Sequence, residues 1–302
     1  MRAALFPGQG SQAVGMGHEL YQVSPAARQV LDQAEATLPG LLKILWEGPE
    51  EQLRLTEHQQ PGLLAVGYAA FQAYLEAGGL PPQFAAGHSL GEWTAWVAAG
   101  SLAFEEALIL VRKRGEYMQA AVPPGIGGMA AILKLTRPQV EELIKGLELE
   151  LANLNSPQQT VVSGPLTALQ ALAPRVRELG GRLVTLPVSA PFHSSLMAPA
   201  RERLAQDLAR VAIAPPRFPI YSNVTAQPEE DPERIRQLLL EQITKPVRWV
   251  EILEDLWRRG VREFLEFGSG NVLSSLVERT LPEARAASLN TPHDLQAWTG
   301  AS

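Results

Sequence analysis

The apolar residues of this chain come in short dense runs separated by stretches with helical spacing, and glycine and proline punctuate the joins. Ala3 to Phe6 is apolar throughout and stops at Pro7-Gly8, the pattern of a buried strand entering a tight loop. Leu63 to Glu76 carries a helical pattern that Gly78-Gly79 and Pro81-Pro82 break, and Phe84 to Gly87 is a second brief strand leading into a glycine-flanked turn. Another helix begins near Gly91. Strand, helix, strand, sharp turn, helix predicts an α/β domain built on a parallel sheet.

Between Gly125 and Val188 the rhythm changes. Met129 to Leu135 reads as strand, Pro138 to Leu147 as helix, Leu149 to Leu154 and Thr160 to Ser163 as two strands around Asn155-Ser156-Pro157, Leu166 to Leu179 as helix and Arg182 to Val188 as strand. The order βαββαβ is that of a ferredoxin-like split unit. Pro123-Pro124-Gly125 and the stretch Pro187 to Pro191 bound it, which predicts a small subdomain at residues 125–191 inserted into a large domain made of residues 1–124 and 192–302. The α/β pattern then resumes with an amphipathic helix from Ser194 to Val211 and strands at Phe218 to Ser222 and Glu263 to Phe267. Gly268-Ser269-Gly270 closes the last strand, and a helix follows from Asn271.

Composition narrows the function classes. With 302 residues, 46% hydrophobic and 19% charged, the chain buries a substantial core, which excludes disordered and fibrous classes. Lys plus Arg number 26 against 32 Asp plus Glu, a net charge of −6 that argues against a nucleic-acid or anionic-membrane binder. The absence of cysteine removes disulfides, thiolate nucleophiles and Cys-ligated metals. The uncharged stretch Gln59 to Leu75 contains Pro61 and falls short of a membrane span, and the N-terminus meets Pro7-Gly8 before a signal core forms, so a cytoplasmic protein is expected.

The chemistry concentrates at Gly87-His88-Ser89-Leu90-Gly91-Glu92, a G-x-S-x-G between a strand and a helix. Such a turn needs small residues because its backbone is strained and closely packed, and it lifts the serine hydroxyl clear of the sheet, with free helix N–H groups beside it. A glycine-flanked helix-capping serine fits the same letters. A serine nucleophile needs a base. Of the five histidines, His88 adjoins Ser89 and should point away from it, His18 and His58 lie in polar stretches, and His293 is near the C-terminus. His193 sits in Val188-Ser189-Ala190-Pro191-Phe192-His193, after a predicted strand and before a helix, where α/β sites gather residues. By itself it reads more readily as a cap or core histidine.

On a helix from Phe104 to Gln119, at about 100° per residue, Arg114 falls on the apolar half with Ala107, Leu108, Leu110 and Val111, while Arg112 and Lys113 fall outside it. A buried guanidinium requires an anion, supplied either by an internal Asp or Glu or by a substrate. Gly8-Gln9-Gly10-Ser11-Gln12-Ala13, with Asp32 further on, imitates a dinucleotide fingerprint. Pro7 before it and Gly15 and Gly17 after it speak against that use, and favour close-approaching backbone near a site, with Gln9 offering an amide donor.

Together these segments resemble the malonyl-CoA:acyl carrier protein transacylases of fatty acid synthesis along nearly the whole chain. The likeness rests on Phe6-Pro7-Gly8-Gln9-Gly10-Ser11-Gln12, Gly87-His88-Ser89-Leu90-Gly91-Glu92, Arg114-Gly115 with Met118-Gln119, Asn155-Ser156-Pro157, Pro191-Phe192-His193 and Pro246-Val247-Arg248-Trp249, in the family's order. The resemblance implies a hydrolase-like α/β large domain interrupted by the ferredoxin-like subdomain. It further implies Ser89 as nucleophile, His193 as base and then acid, Arg114 as partner of the malonyl carboxylate, and the backbone N–H groups of Gln9 and Leu90 as oxyanion hole. A main-chain carbonyl at Arg248, where some relatives have glutamine, would orient His193, and the Phe192 ring would leave little room for branched acyl groups. Gly268-Ser269-Gly270 replaces the more usual Gly-Pro-Gly. Malonyl-CoA and acyl carrier protein are the implied partners, with no metal, prosthetic group, nucleic acid or membrane, and an acidic carrier would dock on a cationic patch. A serine thioesterase or other hydrolase and a non-catalytic acyl-binding module are the alternatives.

Overall fold

The computed structural model describes residues 1–299, so residues 300–302, assigned above to the large domain, lie outside the described residues. Ten strands are present among them: β1 (Arg2–Phe6), β2 (Phe84–Gly87), β3 (Gly127–Leu133), β4 (Glu150–Ser156), β5 (Gln159–Pro165), β6 (Arg182–Thr185), β7 (Ile220–Tyr221), β8 (Pro228–Glu229), β9 (Glu263–Phe267) and β10 (Arg285–Leu289). They form a six-stranded sheet in the order β10-β9-β1-β2-β7-β8 and a four-stranded sheet in the order β4-β5-β3-β6. The first is parallel except for the β7/β8 pair, and the second is antiparallel. The protein is therefore an α/β fold with a mainly parallel sheet.

Burial explains why β1 is apolar without alternation. Ala4 and Phe6 enter one core cluster, while Ala3 and Leu5 enter another on the opposite face, so both faces of the strand are covered. The first cluster is shared with the long helix Thr56–Glu76 and with helix Phe104–Ala120. Phe6, Phe71 and Phe267 meet there with ring centroids 5.3–5.9 Å apart. In the small sheet Ala130, Ile132 and Val162 pack under helices Arg137–Ile144 and Leu166–Glu178. Met129, Ala131 and Val161 belong to the main cluster.

Several boundaries differ from the sequence pattern for local reasons. The helix expected from Leu63 starts at Thr56 and runs through Pro61. The strand expected to reach Val188 ends at Thr185, just before Pro187, which has no N–H to donate to a ladder. The stretch Ser194 to Val211 divides into a 3-10 turn at Ser195–Met197 and a helix at Ala198–Leu208, and Phe218 to Ser222 is strand only at Ile220–Tyr221, beyond Pro219. The short strands β8 and β10 and the helices Pro232–Glu241 and Trp249–Arg258 were not legible as elements.

Register positions the site. Phe6 pairs with Gly87 at the carboxyl ends of neighbouring parallel strands, so the loops that leave β1 and β2 emerge side by side, where α/β sheets carry ligands.

Candidate active site

The turn after β2 works only with glycine on either side of Ser89. A Cβ on Gly87 would lie 1.8 Å from the Gly91 carbonyl carbon, and one on Gly91 would lie 1.9 Å from the Phe6 carbonyl oxygen. Ser89 itself takes φ 52° and ψ −108°, a conformation that costs a non-glycine residue about 1–3 kcal/mol. Asn223 holds it there: its Oδ1 accepts the Ser89 N–H at 2.8 Å and its Nδ2 donates to the Gly87 carbonyl at 2.7 Å. The Gln242 side-chain amide donates to the Ser89 carbonyl at 2.9 Å.

His193 comes from the other side of the cleft. Its Nε2 lies 2.7 Å from Ser89 Oγ, and its Nδ1 faces two main-chain carbonyls, Gln242 at 2.9 Å and Lys245 at 3.2 Å. Carbonyls only accept, so Nδ1 carries the hydrogen and Nε2 is left to take the serine proton. Burial, and next the nearby Arg114 charge, lower the His193 pKa to about 3, so the ring is neutral and competent as a base at neutral pH.

This geometry corrects the expectation for Arg248. Its carbonyl accepts the Ile252 N–H in the first turn of helix Trp249–Arg258, and its guanidinium binds Glu251 and the carbonyls of Val224 and Thr225. The orienting carbonyls are instead those of Gln242 and Lys245, because helix Pro232–Glu241 ends just before them and its last carbonyls lack helical partners. Pro246, which cannot continue a helix, was the available sequence signal.

Arg114 is 1% exposed and reaches the same point. Its Nη2 donates to Ser89 Oγ at 3.1 Å and to Gln242 Oε1 at 3.1 Å, and its Nη1 donates to Gln60 Oε1 at 2.7 Å. None of these acceptors is a carboxylate. Burial lowers its pKa to about 10, which leaves it charged at neutral pH. The internal Asp or Glu that would have made it a structural ion pair is thus not in direct contact.

Ser89, His193 and Arg114 border one cavity of about 350 Å³, which Gln9, Leu90 and Phe192 also line. Among the described residues the backbone N–H groups of Gln9 and Leu90 have no hydrogen-bond acceptor. The small sheet walls the opposite side through Met129, Ala131, Asn153 and Asn155. His88 turns from Ser89 to Asn155, whose Oδ1 is 2.7 Å from its Nε2, and burial lowers its pKa. Four residues that hold the site, Gln60, Glu92, Asn223 and Gln242, were not assigned a role from sequence, since single polar residues in apolar helices or turns carry no periodic signal. Among the described residues no group of three or more His, Asp or Glu is placed to hold a metal, and no helix is long and apolar enough to cross a membrane.

A strained serine on a strand-to-helix turn, a carbonyl-steadied histidine and two free N–H groups define a site for acyl transfer. The comparisons agree: a model of the acyl transferase domain matches residues 4–292, so the chain belongs to the acyl transferase domain family. Within that class it is similar throughout to malonyl CoA-acyl carrier protein transacylases. The one from Bacillus subtilis (strain 168) is 42% identical, the match covering 97% of this chain and 95% of that protein. The solved structure of the Coxiella burnetii protein of that name superposes with a TM-score of 0.97 at 38% identity, covering 99% of this chain and 97% of the other. A type II PKS acyl-carrier protein in complex with its malonyl-transacylase includes a chain 37% identical to this one, with a TM-score of 0.95 over 100% of this chain and 99% of that one.

Proposed function

We propose that the protein moves a malonyl group from malonyl-CoA to the pantetheine thiol of an acyl carrier protein, by way of a malonyl ester on Ser89. The observation that carries this reading is the convergence on Ser89 Oγ of a neutral imidazole nitrogen at 2.7 Å and a buried guanidinium at 3.1 Å. The first activates the hydroxyl; the second is a ready partner for the carboxylate that distinguishes malonyl from acetyl.

In the first half-reaction His193 Nε2 takes the Ser89 proton as Oγ attacks the thioester carbonyl. The Gln9 and Leu90 N–H groups receive the developing oxyanion, each contributing about 3 kcal/mol in the transition state. The carbon–sulfur bond then breaks, and the imidazolium returns the proton to the CoA thiolate. In the second half the carrier thiol gives its proton to His193, attacks the Ser89 ester and leaves with the malonyl group, which regenerates the serine hydroxyl. A thiolate leaves far more readily than an amine, so a Ser-His pair steadied by carbonyls suffices without a buried aspartate. The kinetics are accordingly ping-pong, and the Phe192 ring limits branching at the acyl carbon.

The same reading takes the large domain, residues 1–124 and 192–302, as hydrolase-like and the insert at 125–191 as ferredoxin-like, which the strand order β4-β5-β3-β6 supports. It places the enzyme in the cytoplasm, with malonyl-CoA as substrate and no resident cofactor.

Intact mass after brief exposure to malonyl-CoA, with acetyl-CoA and methylmalonyl-CoA in parallel, tests the proposal. Malonyl should load, should be absent from Ser89→Ala, and should leave quantitatively on addition of holo carrier protein. Release as free malonate at a rate unaffected by the carrier would make the protein a hydrolase instead.

A further inference from the structure

Glu92, the last residue of the elbow motif, takes no part in these steps, yet it is 0% exposed beside them. Its Oε2 accepts the Gln242 Nε2 at 2.8 Å and the Asn223 backbone N–H at 3.0 Å, and its Oε1 accepts the Trp96 indole N–H at 3.3 Å. These partners are neutral donors. Together with the Ser89 carbonyl and Asn223 Oδ1, the carboxylate orients the Gln242 amide: the NH2 turns to these three acceptors, which leaves Oε1 facing the Arg114 guanidinium at 3.1 Å. Glu92 and Arg114 form a buried pair of opposite charges held one amide apart.

That separation matters because a direct ion pair would occupy the fork that a substrate carboxylate needs. We propose that Glu92 is a positioning residue, the internal counter-ion of Arg114 acting through Gln242, and that it takes a proton from solvent water when a malonyl carboxylate arrives at the guanidinium. The inference rests on the malonyl-transfer reading above. Its physical basis is charge balance in a site of low dielectric: one guanidinium balances one carboxylate, and a second anion raises the proton affinity of the first. In the free enzyme burial already pushes the Glu92 pKa up to about 7, with Arg114 and the hydrogen bonds opposing that rise. The other titratable groups bordering the cavity are Arg54, at the exposed end of helix Glu50–Arg54, His193, from the loop before the 3-10 turn, and His88, just after β2. Both histidines have lowered pKa values and are neutral at neutral pH, and Arg114 is the charge that acts on Glu92.

Since binding takes up a proton, malonyl-CoA binds more tightly at lower pH, whereas acetyl-CoA, which brings no carboxylate, does not share the effect. The test is calorimetric titration of Ser89→Ala protein with each thioester, in buffers of different ionisation enthalpy. Malonyl-CoA should take up a fraction of a proton at pH 7.5 beyond any seen with acetyl-CoA, and its Kd should rise at least about threefold from pH 6.5 to 8.5 relative to acetyl-CoA. Glu92→Gln on the same background, which keeps the shape of the carboxylate, should abolish both differences. Equal proton uptake for the two thioesters, or a malonyl pH dependence that survives Glu92→Gln, overturns the proposal. If Glu92→Gln fails to fold, the proton count on the Glu92 protein decides. A wild-type enzyme that forms the malonyl ester without differential proton uptake refutes the role of Glu92 alone; one that forms no ester refutes the transfer reading as well.

Discussion

Replacing Arg114 by alanine separates recognition of the substrate carboxylate from acyl chemistry. The guanidinium makes its hydrogen bonds to Gln60, Gln242 and Ser89 Oγ and none to a carboxylate, so truncation strands the Gln60 amide oxygen, while Gln242 Oε1 keeps the Trp93 indole N–H, and it removes the counter-ion of Glu92, whose carboxyl burial already favours in its neutral form. The fold should persist, which a thermal melt checks. A malonyl carboxylate entering the cavity then finds no cation. Losing one partner of a desolvated, hydrogen-bonded charge pair costs about 2–5 kcal/mol, and the lower half of that range, about 3 kcal/mol, corresponds to a ~10²-fold loss of kcat/KM. Acetyl transfer has no carboxylate to lose and should change by less than about tenfold, the allowance for resettling Ser89 and Gln242. The assay is single-turnover formation of acyl-enzyme from the two thioesters, compared as a ratio of kcat/KM values. Arg114→Lys should fall between, since it retains the charge and forfeits the planar fork. Equal losses for malonyl and acetyl in a folded Arg114→Ala protein would show that the arginine serves the architecture and not the substrate.

His193, with its pKa lowered to about 3, is already in its basic form at pH 5, so acylation at saturating malonyl-CoA should show no inflection near pH 6.5 between pH 8 and 5. A fall centred near 6.5 in stopped reactions would mean that the ring is far better solvated than its burial indicates. Gly87→Ala sets a Cβ 1.8 Å from the Gly91 backbone, and the elbow must open to admit it. A loss of roughly 3 kcal/mol or more in denaturant unfolding, together with loss of acyl-enzyme formation, is expected. An unchanged midpoint and full activity would contradict the close packing described here.

Much of the architecture was legible in the chain because burial on both faces of a parallel sheet demands unbroken apolar runs, and β1 from Ala3 and β2 are such runs closed by proline or glycine. The shift to a βαββαβ order of strands and helices marked the small sheet. Elements lacking that contrast escaped: β8 and β10 are short or half-buried edge strands, and helices Pro232–Glu241 and Trp249–Arg258 lie in a region without glycine punctuation until Gly260. The nucleophile was visible because a strained turn needs flanking glycines, and the guanidinium because a charge on an apolar helix face breaks a periodic pattern.

What holds those groups is another matter. Chain order alone specified a hydroxyl, an imidazole, a guanidinium and the strand-turn-helix context of the first. Only the packed structure decided that the carbonyls of Gln242 and Lys245, and not that of Arg248, set the histidine tautomer, and that Asn223 and Gln242 pin the serine backbone. It also decided that Glu92 reaches Arg114 through a single amide. Backbone carbonyls are the same at every residue and a hydrogen bond between residues far apart in the chain leaves no periodicity, so such contacts exist only once the sheet has brought its strand ends together.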